Sequence, residues 1–210
     1  MRILLPIDGS FNSDTALQAV LSEPWPKDSI CCVITVAEPF HTLADAAMSV
    51  GGAGVMAMRA QKALDEDIRK VLQEATEKLK SKFGVSKVTD IFEEGVASDK
   101  ILETTKGWHP DLIVMGAHGT GGYNDDLLGS ICLKVIAHAP CSVRVVHDLS
   151  TPSLEKKLVA HKPLLTSKVL LAYDDSANAK AALQTVLVRP GATNLQASNS
   201  NKGEANMNPA

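Results

Sequence analysis

Asp111-Leu112-Ile113-Val114-Met115-Gly116-Ala117-His118-Gly119 is an apolar run that leaves into glycines, and Gly129-Ser130 follow further on at the start of a helical pattern. The spacing reads G-x-x-G, nine residues, G-S. A glycine-rich turn leaving a buried strand lets backbone N–H groups approach an anion with no Cβ in the way. Gly129-Ser130 then presents a helix N-terminus, whose unpaired N–H groups and positive dipole end favour the same negative charge. The carboxyl end of the first strand, Pro6, Ile7 and Asp8, is the candidate second wall, because ligands of open α/β sheets sit outside the strand ends at the topological switch point. Plainer roles stay open for every one of these residues. Gly119, Gly121 and Gly122 also read as turn glycines and Gly129 as a close helix-to-sheet contact. Asp8-Gly9-Ser10 also reads as a helix cap, and His118 as a solvated loop histidine.

Several chemistries are excluded by spacing. Gly116 and Gly121 have the first interval of a Walker A loop, but Gly122-Tyr123 stand where Lys and Ser or Thr are needed. The chain after Ile7 reads Asp8-Gly9-Ser10-Phe11-Asn12-Ser13, without the G-x-G-x-x-G of dinucleotide folds. It carries no G-x-S-x-G nucleophile elbow and no H-E-x-x-H or comparable ligand spacing, so a protein-built metal site is not indicated.

The elements that must position the glycines follow from periodicity. Short β-branched runs alternate with longer 3.6-period runs, the pattern of βαβ units and a mostly parallel sheet. Strands are expected over Arg2 to Ile7, Ile30 to Ala37, Lys87 to Glu93, Leu112 to Gly116 and Ser142 to His147. Helices are expected over Asn12 to Leu21, Arg59 to Phe83, Ser98 to Lys106 and Ser130 to His138, with Gly84 and Gly107 as stops. In the longest helix Ala60, Leu64, Ile68, Val71, Leu72, Ala75 and Leu79 form one stripe that would cover the sheet. Glu66, Lys70, Glu74 and Lys78 form i,i+4 charge pairs on another, read as a solvated face. Ala46 to Met58, mostly Ala, Gly, Ser and Met, reads as a mobile connection.

An internal repeat starts and stops. Ile3-Leu4-Leu5-Pro6-Ile7-Asp8-Gly9-Ser10 is echoed by Val169-Leu170-Leu171-Ala172-Tyr173-Asp174-Asp175-Ser176, and the match runs on through the following helix. The organisation expected is therefore one domain over 1–147, a linker over 148–166, a strand-plus-helix half repeat over 167–188 and a disordered tail over 189–210. The half repeat lacks the other strands of a complete copy. Its strand, Lys168 to Tyr173, must pack on the first domain, pair with an edge in another chain, or fray.

The 210 residues are 45% hydrophobic and 21% charged, enough for one sizeable core. A net charge of −3 supplies no excess of cations for a phosphate backbone, so nucleic acid is not an expected partner. No apolar run has the length of a membrane span, and Met1 to Asp8 is too short for a signal-peptide core. Cys31, Cys32, Cys132 and Cys141 lack paired C-x-x-C spacing, and Cys31 and Cys32 would face opposite sides of a strand. A reducing cytoplasm is the expected compartment.

Taken together, these segments resemble the universal stress protein family over about residues 1 to 147. Ile3 to Ser10 with Ala16-Leu17 look like that family's first strand and helix, and Asp111 to Gly116 like its fourth strand. Ala139-Pro140-Cys141-Ser142-Val143-Arg144-Val145-Val146 is similar to its closing turn and fifth strand, and the spacing Gly116, Gly119, Gly129, Ser130 to the signature of its ATP-binding branch. The resemblance implies an α/β fold: an open five-stranded parallel sheet flanked by helices, Rossmann-like and of the adenine nucleotide alpha hydrolase type, here followed by a truncated second repeat. It implies ATP or a related adenine nucleotide as ligand, with Mg²⁺ as a possible companion, and a homodimer joined through the fifth strand, Ser142 to His147. Val36 would meet the adenine through backbone groups, and Asp8, beside Pro6 and Ile7, would lie near the ribose, the phosphates or a Mg²⁺. Gly116, Gly119, Gly129 and Ser130 would hold ribose and phosphate oxygens, with Met115, His118 and Ile131 adjoining them.

Two features depart from the family pattern. Asp125 and Asp126 bring negative charge into a loop that is usually basic or neutral, unfavourable beside phosphates unless solvated or bridged by Mg²⁺. The copy from Ser167 lacks the glycine signature and cannot bind a nucleotide alone. The function expected is that of a nucleotide-binding stress sensor or regulator. The competing readings are a slow ATPase, for which no placed Lys, arginine finger or water-orienting base is evident, and a nucleotide-free interaction scaffold.

Overall fold

The structure, a computed structural model, describes residues 1–38, 53–119, 128–147 and 180–182, and over 53–58 only the helical backbone. The chain divides into two units, Met1–Thr151 and Pro152–Ala210. Of the second only 180–182 are described, and they are helical. The half repeat's strand, the linker and the tail lie outside the described residues, as do Asp125 and Asp126.

The first unit alternates strands and helices: β1 (Arg2–Pro6), α1 (Phe11–Ser22), β2 (Ile30–Ala37), α2 (Ala53–Phe83), β3 (Val88–Glu94), α3 (Ala97–Trp108), β4 (Leu112–Gly116), α4 (Ser130–His138) and β5 (Ser142–Val146). The five strands form one parallel sheet in the order β3-β2-β1-β4-β5. From β1 the chain steps outward one way to β2 and β3, then returns to the other side for β4 and β5. The switch point therefore falls between β1 and β4, whose registered pairs are Ile3 with Leu112 and Leu4 with Ile113.

Continuous apolar runs are what a strand covered on both faces needs, and β1, β2 and β4 have them. Alternate residues feed two cores. On one face Ile3, Leu5, Cys31 and Val33 pack with Ala16, Leu17 and Val20 of α1 and Leu72, Ala75 and Leu79 of α2. On the other Leu4, Cys32, Ile34, Ile113 and Met115 pack with Ile101 of α3 and Cys132 and Val135 of α4. Cys31 and Cys32 thus face opposite sides, as the strand period requires. All four cysteines are free, and burial pushes the Cys31 and Cys32 thiols up to about 12.

The helices correct the sequence reading in four places. α2 begins at Ala53, so the end of the supposed connection Ala46 to Met58 is helix, consistent with the high helix propensity of its Ala and Met residues. Only the C-terminal part of the α2 stripe, from Leu72 onward, is buried; Ala60 and Leu64 are exposed. Its surface ion pairs are i,i+3, Lys70 with Asp67 at 2.9 Å and Lys80 with Glu77 at 3.0 Å, instead of the i,i+4 set expected. Gly107 does not stop α3. The helix runs on to Trp108, and His109 caps it in the left-handed conformation, φ 49° and ψ 63°, its N–H donating to the Thr105 carbonyl. Gly84, at φ 98°, does follow the last residue of α2.

Candidate functional site

At the carboxyl ends of β1 and β4 the glycines stand where a Cβ would meet a close neighbour. A Cβ on Gly116 would lie 2.6 Å from both the carbonyl carbon and oxygen of Asn12, so this glycine lets the first turn of α1 lie directly on the end of β4. One on Gly119 would come within 2.7 Å of Asp8 Oδ2, and one on Gly129 within 3.3 Å of the Ala117 carbonyl oxygen. The three glycines therefore do two jobs. Gly116 is a packing residue, whereas Gly119 and Gly129 bring backbone close to the Asp8 carboxylate and to the loop leaving β4.

That loop is held by backbone. The Ala117 N–H donates to the Val146 carbonyl at 3.0 Å, and the Ala117 carbonyl accepts from the Gly129 N–H at 2.9 Å, which ties β5, the loop and the start of α4 together. From the β1 side, the Ser10 hydroxyl donates to the His118 carbonyl at 3.4 Å. Nothing in the local sequence of Ser10 or Ala117 signals these ties, because they join residues more than a hundred positions apart or go through backbone alone.

The cap reading of Asp8-Gly9-Ser10 holds. Ser10 is the N-cap of α1, its Oγ accepting from the Ser13 N–H at 3.2 Å, and Asp8 Oδ1 accepts from the Ser10 N–H at 3.0 Å. The other carboxylate oxygen is the one turned toward Gly119. α4 is treated differently. Its N-cap is Gly129, in the ordinary extended conformation at φ −61° and ψ 152°, a residue with no side chain to cap the helix, and among the described residues no side-chain cap is seen. Its first-turn amides, from Ser130 to Cys132, are the donors a capping side chain would otherwise occupy. The Cys132 thiol within that turn is pushed up by burial, so it adds no negative charge there.

The remaining expected residues are placed as follows. Pro6 ends β1, and Ile7 is buried, its N–H donating to the Ile34 carbonyl at 2.9 Å and its carbonyl accepting from the Thr35 hydroxyl at 2.9 Å. Val36 stands near the carboxyl end of β2, one strand away from Asp8, on the same face as Met115 and Ile131. Met115 is buried, Ile131 half-buried and Ser130 exposed at the helix start. His118 is half-buried, and its ring meets the His147 ring edge-on, 5.8 Å between centroids and 80° between planes. The sequence offered no signal for His147. Asp8, Ser10, His118, Gly119 and Gly129 are thus brought into one cluster, with Val36 beside it. Among the described residues no group of three or more His, Cys, Asp or Glu is arranged to hold a metal ion.

Comparison with known proteins agrees with this construction. The sequence profile of the Universal stress protein family matches residues 1–147. The chain belongs to the universal stress protein family. It is 31% identical over 153 residues to universal stress protein MJ0531 of Methanocaldococcus jannaschii, covering 69% of this chain and 81% of that one. Among solved structures, hypothetical protein MJ0577 superimposes with a TM-score of 0.59 at 24% identity, over 71% of this chain and 97% of its own. UspA from Lactobacillus plantarum does so with a TM-score of 0.57 at 20% identity, over 70% and 97%. These structural likenesses extend the five-stranded parallel fold to this universal stress protein.

Proposed function

We propose that this chain binds an adenine nucleotide, ATP in the first instance, in the crevice between the ends of β1 and β4, and acts as a stress-response sensor or regulator. The observation that carries the reading is the pairing of a helix start at Gly129, whose N-cap residue has no side chain, with two glycines that let backbone approach closely, Gly119 to Asp8 and Gly129 to Ala117. A polyphosphate accepts hydrogen bonds from backbone amides without needing a cationic side chain, and the dipole of α4 adds to that attraction. Asp8, with one oxygen held by Ser10 and the other toward Gly119, suits a ribose hydroxyl or the outer coordination of a Mg²⁺ that travels with the phosphates. Val36, one strand over, supplies the backbone edge for the base. Family membership and the G-x-x-G, nine residues, G-S spacing support the same ligand class.

The proposal includes a homodimer through β5. Among the described residues that strand pairs only with β4. Leu133 and Ile136 of α4 are 53% and 43% exposed, and Val143 and Val145 of β5 are half-buried on the sheet face that α4 covers. An edge strand flanked by exposed aliphatic side chains is a surface that a second copy would cover. A cytoplasmic location is also part of the proposal. It is supported by four free cysteines and by the absence, among the described residues, of any helix long and apolar enough to cross a membrane.

Titration calorimetry of the full chain with ATP, with and without Mg²⁺, tests the reading when run beside Gly119→Val. Saturable binding lost in the variant, with helical circular dichroism retained, is the expected result. A dissociation constant unchanged by the substitution would remove the cradle from the site, and absence of binding to the wild type would leave the scaffold reading.

A further inference from the structure

On the sheet face opposite Val36, Met115 and Ile131, α1 and α2 leave between them a cleft of about 230 Å³. Its floor is apolar: Ile7, Leu17 and Ala75 are buried and Val71 is half-buried. Its rim is charged, with Asp14 from α1 and Glu74 and Lys78 from α2. Among the described residues none of these three makes an ion pair or a side-chain hydrogen bond, although Glu74 and Lys78 stand at i,i+4 in the order that favours pairing. Elsewhere α2 does pair its lysines, Lys70 with Asp67 and Lys80 with Glu77. Ser13, which also lines the cleft, is committed to its own turn, its hydroxyl donating to the Ser10 carbonyl at 2.9 Å. Recognition of a ligand here therefore falls to two carboxylates, one ammonium and an apolar floor.

We propose that the α1–α2 cleft is a second ligand site, for a free α-amino acid with an apolar side chain. A small site of this kind takes its affinity from an apolar lining and its orientation from a few polar groups. The ligand's ammonium meets the Asp14 and Glu74 carboxylates, its carboxylate meets Lys78, and its side chain covers Ile7, Leu17, Val71 and Ala75. A simple carboxylic acid would set its charge against two like charges, and a simple amine would leave Lys78 facing a cation; a zwitterion answers both signs at once. The volume holds one residue and not a peptide. This site is separate from the nucleotide crevice, so the inference stands or falls without it.

Backbone amide NMR of the full chain titrated with L-leucine tests it. Saturable shifts are expected at Gly9, Asp14, Val71, Glu74 and Ala75, with Gly119 and Gly129 unmoved. Glycine, which has no side chain for the floor, is expected to bind roughly ten-fold or more weakly than leucine. The rim is exposed, so each charge contributes modestly, and Lys78→Gln is expected to weaken leucine about two- to five-fold. Leucinamide, which lacks the carboxylate, should bind wild type and Lys78→Gln alike, whereas Glu74→Gln should weaken leucine and leucinamide together. Both substituted side chains are exposed, and circular dichroism should show the fold retained. No saturable shift up to roughly 10 mM leucine would overturn the proposal. Shifts centred on Gly119 and Gly129 would put the ligand in the nucleotide crevice and overturn it as well. Equal weakening of leucine and leucinamide by Lys78→Gln, or glycine binding as tightly as leucine, would remove the assigned contacts and with them the site.

Discussion

At the amino ends of the strands, long cationic side chains reach over helix C-termini, whereas at the carboxyl ends glycines and backbone amides line the crevice. Arg2 stacks on Trp108 with its guanidinium 4.3 Å from the ring centroid, and its Nε donates to the Trp108 carbonyl at 2.9 Å, at the last residue of α3. Lys82 donates to the Leu21 carbonyl and, at 2.6 Å, to that of Glu23 at the end of α1. In a parallel α/β layer every helix C-terminus falls at this end, and its orphan carbonyls and negative dipole are met by cations. At the opposite end α1 is capped by Ser10, while α4 starts at Gly129, which has no side chain to cap it. A glycine N-cap is only about a few tenths of a kcal/mol poorer than Ser, Thr, Asp or Asn, so α4 gives up little stability by starting with amides that the proposed ligand would take. One end of the sheet is built for closure and the other for access.

The sharpest way to break that comparison is Gly116→Val. Because the added carbons meet the Asn12 backbone and not a movable side-chain tip, a loss of about 2–3 kcal/mol is expected. Thermal circular dichroism should then record a Tm roughly 5–10 °C lower; an unchanged Tm would mean that α1 does not depend on close approach to β4. Next in size is Gly129→Asp. Its backbone already has N-cap geometry, so the carboxylate takes the place proposed for phosphate and at least a ten-fold loss of ATP affinity is expected. The Tm should move less than for Gly116→Val. Retained affinity would detach the α4 start from the site.

At the closed end, Arg2→Ala is expected to cost about 1 kcal/mol through its lost carbonyl hydrogen bond and ring contact. Calorimetric ATP affinity should stay within about two-fold, and a larger change would join the two ends energetically. The smallest effect concerns the β2 thiols. Both are raised from an ordinary 9.0 to about 12 by burial, so the folded state holds these protons more tightly than the unfolded one. Their contribution is fully present below pH 9 and is lost as pH rises toward 12. Urea titrations from pH 8 to 11 should show a decline that Cys31→Ala lessens, and identical slopes would contradict it.

Most of the sheet is legible because β1, β2 and β4 are short apolar runs bounded by turn residues, and the glycine spacing after β4 marks the loop at the switch point. Local pattern failed at one helix end and wherever a distant partner decides. Gly107 looked like a stop, but α3 ends one turn position later, where His109 takes the left-handed cap. The apolar stripe of α2 is longer than the sheet surface available to it, so Ala60 and Leu64 remain exposed. The contact of Gly116 with Asn12 and the edge-on meeting of His118 with His147 each join distant positions by packing alone. Spacing picks out the glycines; only the fold separates Gly116, which packs on Asn12, from Gly119 and Gly129, which approach Asp8 and Ala117.

The division between a closed end and an open end is tested most directly by backbone amide NMR of the full chain titrated with ATP and Mg²⁺. Shifts are expected at Gly119, Gly129 and the first-turn amides Ser130 to Cys132, with Arg2, Trp108 and Asp111 unmoved. Shifts centred on Arg2, Trp108 and Asp111, or none at Gly129 to Cys132 under saturating ATP, would contradict it.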